Sequence, residues 1–81
     1  MRARYTERFL RSYADAPPSV RKALQKQSTL LIENLQHPSL HAGKYGRSQD
    51  IWQARVNRNW RFYFTIERDC YVLLDMMAHP K

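Results

Sequence analysis

The last third of the chain holds three strand-like runs separated by very short breaks: Ile51 to Val56, Trp60 to Ile66, and Tyr71 to Met77. Consecutive strands joined this closely pair as an antiparallel meander. Alternate side chains on a strand point to opposite faces. In the middle run Trp60, Phe62, Phe64 and Ile66 share one face, and Arg61, Tyr63, Thr65 and Glu67 share the other. The first set can form a core. The second puts a guanidinium and a phenol in mid-sheet, where solubility alone does not require them.

The residues before the meander read as helices. Arg2 to Tyr5 has the alternation of a short edge strand. Thr6 suits an N-cap and Glu7 the first turn, so a helix is expected from Thr6 to about Ala14, with Phe9, Leu10 and Tyr13 inward and Arg8 and Arg11 outside that apolar set. After Pro17-Pro18, a second helix of about five turns is expected to end near Gln36, its inner side carrying Val20, Ala23, Leu24, Gln27, Leu30, Leu31 and Leu35. Pro38 stops it. Residues 37–50 form a loop that holds both glycines, Lys44 and Arg47, with Leu40 and Tyr45 expected to tuck onto the core. Asn57 or Asn59 can take positive φ in the first hairpin turn, and Glu67-Arg68-Asp69 makes the second. The order β-α-α-β-β-β predicts one α+β domain over residues 1–81, two helices packed on one face of a small twisted antiparallel sheet.

Charge narrows the partners. The net charge is +7, and ten of the 14 basic residues are arginine, whose planar fork matches phosphate. This favours a polyanion: nucleic acid or an acidic protein segment. Two glycines exclude Gly-rich phosphate loops. No apolar run approaches the roughly 20 residues that cross a bilayer. Cys70 has no intramolecular disulfide partner, which with no signal peptide points to a reducing cytoplasm. His37 and His41 have i,i+4 spacing, but Pro38 forbids a helix there, so no metal site and no cofactor is expected.

Element order, size and the runs Ile51-Trp52-Gln53-Ala54-Arg55-Val56 and Trp60-Arg61-Phe62-Tyr63-Phe64, ending in Ala78-His79, resemble the RelE/ParE superfamily of bacterial toxins over nearly the whole chain. The resemblance implies a cognate antitoxin partner and one of two activities. RelE-like members cut mRNA in the ribosomal A site without metal, which inhibits translation. ParE-like members inhibit DNA gyrase and cut nothing. A degenerate nucleic-acid-binding module is a third alternative.

RNA cleavage needs activation of a ribose 2′-OH, stabilisation of the phosphorane, and protonation of the leaving 5′-oxygen. Arg61, mid-strand on the polar face and matching the family's strand arginine, is the candidate for the phosphorane; its structural alternative is an ion pair with Glu67 or Asp75. His79 is the candidate proton carrier, as an imidazole is suited to acid or base work; by parity it falls with Tyr71, Leu73, Asp75 and Met77. Where RelE-like members carry two strand lysines, Gln53 and Arg55 stand; Arg55 keeps the charge, and neither is a general base. The catalytic candidates are therefore Arg61, His79 and Arg55. Candidates for nucleic-acid contact are Lys44, Arg47, Gln53, Tyr63 and Lys81, with Arg4, Arg8 and Arg11 of a basic N-terminal face.

Overall fold

The computed structural model describes residues 1–47 and 50–79. Its elements are β1 (Arg2–Tyr5), α1 (Glu7–Asp15), α2 (Pro18–Glu33), a 3-10 turn (Pro38–Leu40), β2 (Gly43–Lys44), β3 (Trp52–Arg55), β4 (Trp60–Glu67) and β5 (Cys70–Ala78). The strands lie in the order β1-β5-β4-β3-β2.

The α+β architecture stands, with one correction. The sheet is mixed, because β1 pairs with β5 in parallel, Arg2 beside Cys70 and Tyr5 beside Leu73. The other pairs are antiparallel, as the short hairpins require. The 37–50 loop also contains structure of its own, the 3-10 turn and the two-residue β2.

α1 begins where Thr6 Oγ1 accepts from Phe9 N at 3.1 Å. α2 starts with Pro18 in its first turn and ends at Glu33, short of Gln36. Phe9 supplies α1's buried contact, whereas Leu10 is 51% exposed, contrary to its expected place in the core.

The core joins Phe9, Val20, Leu24 and Leu31 of the helices to Phe62, Phe64, Leu73 and Met76 of the sheet. Burying each such side chain contributes about 1.5–3 kcal/mol. Trp60 and Ile66 pack at its margin, so the predicted apolar face of β4 is the core face. Leu40 is fully buried, but Tyr45 is 46% exposed and rests on the other face of the sheet against Tyr63. Asn57 and Asn59 do not take positive φ; among the described residues His41, Arg68 and Gly46 do. Asn57 shapes its turn through its side chain, Oδ1 accepting from the N–H groups of Asn59 and Trp60.

One irregularity sets the polar face. Tyr63 pairs with Asp75, but Phe64 pairs with Leu73, so Leu74 is an extra residue in β5. The carbonyls of Leu73 and Leu74 lie 3.0 and 3.1 Å from Thr6 Oγ1, which holds the bulge to the start of α1. The bulge shifts the alternation by one. Tyr71 and Leu73 therefore face the core, and Asp75 and Met77 pair with Tyr63 and Arg61. The expected single set of Tyr71, Leu73, Asp75, Met77 and His79 is divided at this point.

Candidate active site

Three strands present polar side chains on the face away from the helices. The register places Gln53 beside Tyr63 and Arg55 beside Arg61 across β3 and β4. Arg61 pairs on its other side with Met77. Directly opposed residues on one face of an antiparallel pair have Cβ atoms about 4.5–5.5 Å apart, and like charges there are destabilising. Arg55 and Arg61 are such a pair.

Neither arginine has a carboxylate among the described ion pairs. Glu67 pairs with Arg4 at 3.5 Å and Asp75 with Arg8 at 3.0 Å, so the two acids that could neutralise Arg61 are taken elsewhere. One terminal nitrogen of Arg61 instead donates to the carbonyls of Asn57, Arg58 and Trp60, at 3.0, 3.3 and 3.1 Å. Neutral carbonyls fix the guanidinium without cancelling its charge, and the remaining donors suit a phosphate.

His79 follows the last residue of β5. Its backbone N–H donates to Asn59 O at 2.6 Å, tying it to the β3–β4 turn whose carbonyls hold Arg61. His79, Arg61, Arg55, Gln53 and Ala54 line one cleft of about 220 Å3, and His41 completes it. No acid lines this cleft. Its volume lies below the roughly 300–1,000 Å3 of an enclosing small-molecule pocket, which suits a segment of polymer backbone lying across it.

His41 is the residue that sequence reasoning missed. The i,i+4 spacing of His37 and His41 is no metal signal with Pro38 between them, and nothing local in the sequence links His41 to β3 or β5. It ends the 3-10 turn in left-handed conformation, φ 46° and ψ 44°. Buried Gln27 brings that turn to the cleft: its Nε2 donates to Ser39 O at 3.2 Å and to Arg55 O at 3.0 Å. One amide from α2 thus joins the His41 turn to the end of β3. Among the described residues, no three His, Cys, Asp or Glu side chains group as metal ligands would.

The other candidates are dispersed. Tyr63 lies on the cleft face, in edge contact with Tyr45, ring centroids 5.0 Å apart. Its pKa is raised, first by burial and then by Tyr45, so the phenol stays protonated and is no general base at neutral pH. Lys44 pairs with Trp52, on the opposite parity from Gln53, and its Nζ lies 4.8 Å from the Trp52 ring centroid. It covers the sheet edge rather than facing Arg61. Arg47 is exposed in the turn after β2. Arg8 reaches the cleft face through Asp75, and Arg4 sits on β1 beside Glu67. Arg11 is exposed on α1. Lys81 lies outside the described residues.

This fold is shared with solved toxins. YafQ from E. coli superposes with a TM-score of 0.80 at 19% identity, covering 98% of this chain and 94% of that one. The YoeB dimer from Staphylococcus aureus gives 0.80 at 10% identity, with 99% and 98% covered. The RelE toxin in the RelB-RelE antitoxin-toxin complex of Methanococcus jannaschii gives 0.78 at 13% identity, with 93% and 88% covered. The chain has the RelE/ParE toxin fold. No protein-family model matches it, and no curated protein does. Nor does any helix among the described residues have the length and apolarity to cross a membrane.

Proposed function

We propose that the protein is the toxin of a toxin–antitoxin pair and a metal-independent endoribonuclease that cuts mRNA on the ribosome. The observation that carries this reading is the Arg55–Arg61 pair. Two guanidinium groups opposed across a sheet, with no acid in their cleft, oppose folding. An anion between them offsets that repulsion, and the phosphorane of a cleaving phosphodiester carries more negative charge than the ground state.

The acid–base groups are His41 and His79. One imidazole takes the proton from the 2′-OH, the oxygen attacks phosphorus, and the 5′-oxygen leaves with a proton from the other. The products are a 2′,3′-cyclic phosphate and a free 5′-hydroxyl, so no water or metal enters the first step. Gln53 lies beside them as a neutral hydrogen-bonding group.

A complex between RelB and RelE, and one between DinJ and YafQ, appear among the structures sharing this fold. The +7 charge of this chain suits an acidic antitoxin segment as its protein partner. The ribosome and mRNA are the targets in the cytoplasm.

The test is primer extension on mRNA after incubation of the purified protein with programmed ribosomes. Cleavage that Arg61→Ala slows by about 10²–10³-fold is the expected result. Intact transcripts with inhibited DNA supercoiling would move the protein to the gyrase-inhibiting class. Neither effect, with salt-sensitive RNA binding, would leave a nucleic-acid-binding module.

A further inference from the structure

A second concavity adjoins the arginine cleft. It has a volume of about 200 Å3, and Arg8, Tyr45, Tyr63, Asp75 and Met77 line it. The register links the two sites: Arg61 pairs with Met77, and two residues along β4 Tyr63 pairs with Asp75. Two residues of strand span about 6.6 Å, the scale of the step from a backbone phosphate to its base.

The walls suit a nucleobase. Tyr45 meets Tyr63 edge-on, with an interplanar angle of 75°, so it buttresses that ring rather than stacking on it. Met77 is 42% exposed beside the Tyr63 strand and adds an apolar, polarisable surface. Asp75 is held firmly. Its Oδ1 accepts from Ser12 Oγ at 2.5 Å and from Met76 N at 2.8 Å, and its Oδ2 accepts from Arg8 Nε at 3.0 Å. That last bond engages the inner nitrogen of Arg8. The terminal amino groups, on a side chain that is 75% exposed, remain as a donor fork.

We propose that this concavity is a base-recognition subsite for the RNA cut in the neighbouring cleft, with Tyr63 as the stacking surface and Arg8 as a reader selecting guanine. A guanidinium donates two parallel hydrogen bonds to the O6 and N7 acceptors of guanine; adenine offers a donor in place of O6, and pyrimidines lack N7. Asp75 is a positioning residue that sets the angle of the fork. The proposal rests on the ribonuclease reading for the chemistry of the strand, but its binding arm is independent of cleavage.

The experiment is calorimetric titration of the full chain with four 2′-O-methyl trinucleotides that differ in the central base. The methyl group removes the attacking hydroxyl, so binding is read without cleavage. Guanine at the centre is expected to bind about tenfold more tightly than uracil, the size of one bidentate contact. Arg8→Ala removes that preference. Tyr63→Leu weakens all four about tenfold through lost stacking, while Tyr63→Phe keeps the ring and the affinity. Arg61→Ala weakens all four equally and leaves the preference intact. Equal binding of the four bases, a preference that survives Arg8→Ala, or no binding of any trinucleotide overturns the subsite. Base-selective binding by a protein that cuts no RNA on ribosomes keeps the subsite and removes the ribonuclease. Cleavage that ignores the base does the reverse.

Discussion

The backbone N–H of His79 donates to the carbonyl of Asn59 at 2.6 Å, so the residue that ends β5 is tied to the hairpin turn that grips Arg61. The anchor belongs to the backbone. Replacing the side chain therefore leaves it intact. His79→Ala is expected to lower the cleavage rate by about 10²–10⁴-fold, the contribution of a positioned acid or base. Its melting temperature stays at the wild-type value, which thermal unfolding checks alongside the rate.

His41 is expected to behave as the partner of His79. His41→Ala is expected to lower the cleavage rate by about 10²–10⁴-fold, as His79→Ala does. The double variant is then little slower than either single one, because residues acting as a unit are not additive. A double variant slowed by the full product of the two single effects would remove the histidine pair from the chemistry.

The Arg55–Arg61 opposition predicts opposite effects on stability and activity. Arg55→Gln relieves a like-charge cross-strand pair, and a gain of roughly 0.2–1 kcal/mol in unfolding free energy is expected from denaturant titration. The same change lowers cleavage, since transition-state charge is then met by one guanidinium instead of two. Arg61→Ala is the more severe for activity, by about 10²–10³-fold.

Gln27 carries the structural link to the site. It is 6% exposed and donates to carbonyls from two separate segments. Gln27→Leu leaves both without that donor. A loss of about 1–3 kcal/mol is expected, with amide hydrogen exchange accelerating in the Ser39 to Gly43 segment rather than in β4 and β5.

Alkaline pH supplies a prediction independent of function. Burial raises the pKa of Tyr71 above the ordinary 10.0, and Tyr63 is raised as well, mainly by burial. The folded chain keeps these protons at a pH where the unfolded chain has released them. Stability is then fully present below pH 10 and falls as pH rises through the folded-state values. Tyr71 is buried against Phe64, ring centroids 5.6 Å apart, and Tyr71→Phe removes its share of that slope.

Much of the site is written in β4 itself. Strict alternation from Trp60 to Ile66 identifies the core face, the polar face and Arg61, because the extra residue of the bulge lies in β5 and not in β4. Thr6 is equally legible, since an N-cap is a local signal. The bulge at Leu74 is not: Val72, Leu73 and Leu74 are all apolar, so no change of polarity marks the extra residue. His41 and Tyr45 reach their places through Gln27's bonds to Ser39 O and Arg55 O and through the contact of Tyr45 with Tyr63, none of them a near neighbour in sequence. The parallel pairing of β1 rests likewise on partners more than sixty residues away, as Thr6 shows with Leu73.

That parallel pairing has a temporal meaning. Arg2 to Tyr5 are made well before their partners Cys70 to Leu73, which follow more than sixty residues later in the chain. A sheet that needs both cannot close until Leu73 is available, and long-range pairing of this kind folds slowly. A chain cut short of Cys70 lacks both the partner of β1 and the strand that carries His79 to the cleft.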